Sequence, residues 1–166
     1  MAASMNTQQV VEQLFAQLSE LAKQLKLLAA ALQQEQTALT QNDFAALEAI
    51  AHDKEVLSSQ IEQIEQQRHT LCSQLNIDCD FVGIENYLAI ISGKLLPRLE
   101  QLWDQINTFG SQCASQNQVN GILLAHQQRH AQQALAILRG VSGGDELYSA
   151  SGSQQTIDYQ HSLGRV

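Results

Sequence analysis

Proline occurs once in these 166 residues, glycine nine times, and aromatic side chains make up only 5% of the chain. So few turn-forming residues exclude the many short loops of a β-sandwich or a βαβ fold. The shortage of Phe, Tyr and Trp argues against one thick globular core, because those side chains carry the largest buried areas. Basic residues are scarce as well: nine Lys and Arg face 17 Asp and Glu, a formal charge of −8. That sign repels nucleic-acid phosphates and anionic lipid, so neither nucleic acid nor membrane insertion is expected. No apolar run approaches the ~18 residues that span a bilayer, and the richest, residues 25–32, is broken by Lys26. Residues 1–22 hold no Lys or Arg, so the basic segment of a secretory signal is missing. Three cysteines (Cys72, Cys79 and Cys113) make neither a disulfide framework nor a zinc pattern, which points to a reducing cytoplasm.

Glutamine takes the place of what is missing. There are 26, alongside many Leu and Ala, and all three lose little rotamer freedom on a helix. Over residues 7–41, Val11, Leu14, Leu18, Leu21, Leu25, Leu28, Leu32 and Leu39 advance in steps of three and four, with Glu35 as the one polar interruption. Such a stripe asks for a partner helix. Phe15, Ala22 and Ala29 widen it, as a bundle requires more than a two-stranded zipper does. At Asn42 and Asp43 the run breaks, and both side chains can cap a new helix. Phe44, Leu47, Ala51, Leu57, Ile61, Ile64, Leu71 and Leu75 carry the pattern on, with Lys54 and Arg68 at seam-type positions. There a long side chain can lie along the seam with its charged head in water.

Residues 76–81 read as a loop, and Ile84, Leu88, Ile91 and Leu95 predict a short helix over 83–93. Pro97 suits a fresh helix start. Leu99, Leu102, Ile106, Phe109 and Cys113 then form the next stripe, with Trp103 beside it, and Leu124, Ala131, Leu135 and Leu138 resume it. Arg139 followed by Gly140 marks the stop. The expectation is an all-α fold: an elongated, antiparallel, up-and-down bundle of three long helices plus a short one, coiled-coil-like, over residues 1–140. Residues 141–166, with Gly143, Gly144, scattered serines and no periodicity, read as a flexible tail.

Catalytic patterns are weak. His126 and His130 stand four apart, a spacing that can hold zinc, but Gln127 follows where a metalloprotease motif needs Glu, and no third ligand is near. Two solvated histidines on a Gln-rich face is the plainer reading. No Gly-rich phosphate loop occurs, so no cofactor, no metal and no enzyme activity are expected. Residues 117–121, NQVNG, are the most unusual stretch, since two asparagines and a glycine weaken a helix interior by roughly 0.5–1 kcal/mol each. Buried Asn can fix register between helices. Alternatively, Gly121 lets another backbone approach while the Asn side chains bond to it. After it, Ile122, Leu123, Leu124, Ala131, Ala134, Leu135, Ile137 and Leu138 put apolar groups on more than one side of the helix. Either both earlier helices cover them or a partner's amphipathic helix does.

The stretches 117–124 (NQVNGILL), 134–138 (ALAIL) and 147–152 (LYSASG), with 42–47 (NDFAAL) and 53–55 (DKE) upstream, resemble FlgN-like flagellar export chaperones. The N-Q-x-N-G block is the specific part. Ser149 stands where that family usually has glycine, and Ser151 where it often has a small acidic residue. The resemblance implies an acidic cytoplasmic chaperone of the flagellar type III secretion pathway. Such a chaperone binds the C-terminal helical segments of hook-associated (hook–filament junction) proteins, keeps them unassembled and delivers them to the export gate and ATPase complex. It places cargo binding on Asn117, Asn120, Gly121, Ile122, Leu123, Leu124, Ala131, Ala134, Leu135, Ile137 and Leu138, and export-gate docking on Tyr148. A structural coiled-coil spacer without cargo is the alternative from another class, and a metal enzyme using His126 and His130 a third.

Overall fold

The computed structural model describes residues 7–139, which form α1 (Thr7–Gln41), α2 (Phe44–Leu75), α3 (Phe81–Ser92) and α4 (Leu96–Leu138), with a 3₁₀ turn, Gly93–Leu95, ahead of α4. No strand occurs among the described residues. The tail proposed for 141–166, Tyr148 included, lies outside them. The segment from 83 onward is therefore two helices, and Pro97 sits in the first turn of α4, where its missing N–H is not needed. By its contacts the chain divides into two units, Met1–Leu124 and Ala125–Val166.

In the first unit, α1 buries the stripe its sequence announces: Val11, Leu14, Leu18, Leu21, Leu32 and Leu39 are buried, as are Phe15, Ala22 and Ala29. The start of α1 shares a cluster with the end of α2, where Leu14 and Leu18 meet Leu71 and Cys72. The end of α1 clusters with the start of α2 through Ala31, Ala38 and Ile50. Ile84 and Leu88 of α3 and Leu99 of α4 close the first cluster, all three fully buried. Further along α4, Cys113 packs on Ala29 and Leu32.

Two features of α2 depart from the sequence pattern. Ile50, not Ala51, is buried, while Phe44 and Ala51 face outward. The seam therefore runs Leu47, Ile50, Lys54, Leu57 in strict steps of three and four, which the bulk of Phe44 obscures. Arg68 does not hold its head in water: it is buried, donating from Nη1 to the carbonyl of Cys79 and from Nη2 to Glu65 at 2.5 Å. A guanidinium carries several fixed donors, and the carbonyl of the following loop gives one of them an acceptor.

The helix ends follow from local chemistry. Asn42 and Asn76 both take the left-handed conformation at φ 55°, which Asn tolerates better than most residues. Behind each, an amide closes the last turn, Asp43 N–H on Ala38 O at 3.0 Å and Ile77 N–H on Cys72 O at 3.1 Å. Asn42 thus ends α1, and Asp43 is the residue whose carboxylate caps α2, accepting from Ala46 N–H at 3.0 Å. Asp80 does the same for α3 through Gly83 N–H at 2.7 Å. Gly83 is needed there because a Cβ would lie 2.3 Å from the carbonyl oxygen of Asp78. Replacing Asp43 with alanine should remove about 1 kcal/mol of stability. Urea denaturation would register this as a lower midpoint at unchanged slope.

Candidate functional site

Three side chains that break the apolar stripes of three helices meet in one layer. Glu35 of α1 accepts from Lys54 Nζ of α2 at 2.8 Å on each carboxylate oxygen. Asn120 of α4, buried, donates from Nδ2 to the same carboxylate at 2.9 Å and to the carbonyl of Leu32 at 2.8 Å. The Lys54 ammonium and the Asn120 amide N–H groups find acceptors there, while Asn120 Oδ1 stays buried without a partner, and these directed contacts make the layer specific to one register. Nearby, Gln116 Nε2 donates to Gln33 Oε1 at 3.2 Å, and Cys113 Sγ lies 3.4 Å from the carbonyl of Leu25. Asn120 therefore works from inside the seam. Its neighbours in the NQVNG block do not: Asn117 and Gly121 are exposed, and a Cβ at Gly121 would meet nothing within 4 Å. No backbone of the described residues approaches Gly121.

Beyond this layer the first unit ends with its apolar groups uncovered. Ile122 is 61% exposed, Leu124 is exposed and Leu123 is half-buried.

The second unit shows the same condition more strongly. Leu135, Ile137 and Leu138 are 49%, 75% and 82% exposed, and Ala131 and Ala134 are exposed as well. Ala131, Leu135 and Leu138 follow one another at steps of four and three and so share a side, whereas His126, His130 and Ile137, at steps of four and seven, share another. Apolar side chains thus stand on two sides of this helix end, between exposed glutamines at 128, 132 and 133. Burying a Leu or Ile side chain fully is worth roughly 1.5–3 kcal/mol, so this end gains most from a partner.

The two histidines stack edge to face with Nε2 atoms 3.3 Å apart. Among the described residues no group of three or more His, Cys, Asp and Glu could hold a metal ion. No described helix is long and apolar enough to cross a membrane.

Glu35 and Lys54 are the functional-layer residues that sequence reasoning did not join to Asn120. The signal was present, since each is the polar member of its own stripe, but a stripe does not say which residue of another helix lies opposite. A family model described as FlgN protein matches residues 5–156. No curated protein and no solved structure matches the chain.

Proposed function

The chain belongs to the FlgN family, a family of flagellar export chaperones and not of enzymes, and on that premise we propose how it handles cargo. It receives the C-terminal helical segments of hook-associated proteins in the cytoplasm, prevents their premature assembly and delivers them to the flagellar type III export apparatus. The observation that carries this is the exposure of Leu135, Ile137 and Leu138 at 49%, 75% and 82% on a well-formed helix. Junction subunits that must polymerise present sticky amphipathic helices, and covering those helices with another apolar helix blocks assembly without chemistry.

The cargo contacts are Asn117, Gly121, Ile122, Leu123 and Leu124, with Ala131, Ala134, Leu135, Ile137 and Leu138. Asn120 supports them by holding α4 in register. The chaperone domain proper spans residues 1–140, and within its first unit α1 and α2 run antiparallel. Tyr148, which follows that domain in the sequence, docks on the export gate.

Changing Leu135 and Leu138 together to alanine should weaken capture of a hook-associated protein by about ten- to a hundredfold, because buried apolar anchors dominate helix-in-groove contacts. Far-ultraviolet circular dichroism should stay unchanged, since alanine is the best helix former. Calorimetric titration showing native affinity in the double variant would sink the assignment. Tyr148→Ala in the same assay should leave cargo affinity intact while export-gate binding falls.

A further inference from the structure

The corner between α2 and α3 brings two thiols into contact. Cys72, in the last turn of α2, is buried, and Cys79, in the loop that follows, is half-buried. Their Sγ atoms lie 2.7 Å apart and both thiols are free. A disulfide needs about 2.05 Å between its sulfurs, so closure asks for a shift of under an ångström.

The backbone that presents these sulfurs is held from several directions. Ile77 N–H closes on the carbonyl of Cys72 at 3.1 Å. Arg68 donates to the carbonyl of Cys79, and its guanidinium lies 5.9 Å from the centroid of the Trp103 ring. Asp80 caps α3 through Gly83 N–H at 2.7 Å, and the missing Cβ of Gly83 lets Asp78 approach. The pairing is thus built into the corner by capping and ion-pair chemistry.

We propose that Cys72 and Cys79 form a thiol–disulfide exchange site that accepts small-molecule disulfides as its oxidising substrate. Burial, the largest cause, and the adjacent Cys79 push the Cys72 thiol up to about 12. Cys79, the more exposed sulfur, therefore reacts first and Cys72 resolves. Cys79 gives its proton to water, and its thiolate attacks one sulfur of the small disulfide. That S–S bond breaks, a mixed disulfide forms on Cys79, and the first small thiolate leaves. Cys72 passes its proton to a thiolate and attacks Cys79 Sγ, expelling the second small thiolate, which takes up the proton Cys79 released. Two protein thiols become one disulfide, and the small disulfide, reduced by two electrons, departs as two thiols. This site is independent of the cargo reading, and neither depends on the other.

The test is titration of the full chain with oxidised and reduced glutathione, followed by acid quench and peptide mass mapping. The native chain should lose two hydrogens with the Cys72 and Cys79 peptides joined. Cys113 should remain alkylatable on unfolding, since burial holds its thiol up and it lies against the carbonyl of Leu25. Cys72→Ser should instead accumulate glutathione on Cys79, at least about tenfold more than the native chain, because the resolving neighbour is gone. A native chain that accumulates the same adduct, that pairs either cysteine with Cys113, or that stays a dithiol throughout the titration overturns the proposal. Because the native chain alone can return each of these results, the test survives a variant that fails to fold.

Discussion

Leu99→Ala should lower the free energy of unfolding by about 2–5 kcal/mol, the range for deleting a buried leucine and leaving a partly relaxed cavity. Leu99 has no exposed surface and shares its cluster with Leu14, Leu18, Leu71, Ile84 and Leu88. That cluster draws buried residues from all four helices, so they cannot collapse into the vacated space without loosening one another. Urea unfolding should show a lower midpoint at an unchanged slope. The instructive comparison is Leu135→Ala on the same helix. Leu135 is 49% exposed, so its truncation removes little burial and should leave the midpoint within about 0.5 kcal/mol of native. One leucine is read by stability, the other by capture of cargo. Equal midpoint losses for the two variants would contradict the placement of both.

Glu35→Ala should cost about 1–3 kcal/mol, because it strands the Lys54 ammonium and one hydrogen bond of Asn120 together. The figure stays below that of a fully buried pair because the Lys54 and Glu35 side chains retain 24% and 18% exposure. Replacing the whole layer with apolar groups should behave differently. Glu35→Leu, Lys54→Met and Asn120→Leu in one chain should recover stability to within about 1 kcal/mol of native, since no charge or amide is left without a partner. What that triple variant should lose is a single pairing of helices, seen in light scattering as a mixture of species where the native chain gives one. A triple variant as unstable as Glu35→Ala alone would mean that the layer supplies stability and not register.

Much of this is legible in the sequence, and the reasons are specific. α1 runs over Thr7–Gln41, the range its heptads mark, because leucines at steps of three and four report one face directly. The short helix begins at Phe81, two residues before the apolar pattern predicts, because Asp80 and Gly83 set the start through a cap and a close backbone approach that no stripe reveals. The polar members Glu35, Lys54 and Asn120 were each visible, but their meeting depends on how far α1, α2 and α4 slide past one another. Arg68 looked like a surface head on a seam position. Its burial depends on a loop carbonyl, and loops leave no periodic trace. The contact of Cys72 with Cys79 was hidden for the same reason, since the intervening turn decides whether the two sulfurs converge.

The two-residue link at Asn42 and Asp43 has a consequence for how these helices assemble. α1 and α2 meet across almost no intervening chain, whereas Asn120 reaches Leu32 over a separation of 88 residues. The entropy of closing a loop grows with its length, by about 0.6 kcal/mol per doubling, so pairing α1 with α2 is the step of least entropic cost and α4 the distant one. Once α1 and α2 have paired, much of the chain between Leu32 and Asn120 is already folded, which shortens the effective loop that α4 must close. Lys54 and Glu35 are then already paired, a waiting receptor with one acceptor position open. Asn120 is the side chain of α4 that fits it, so the last helix to arrive meets a template that selects its alignment.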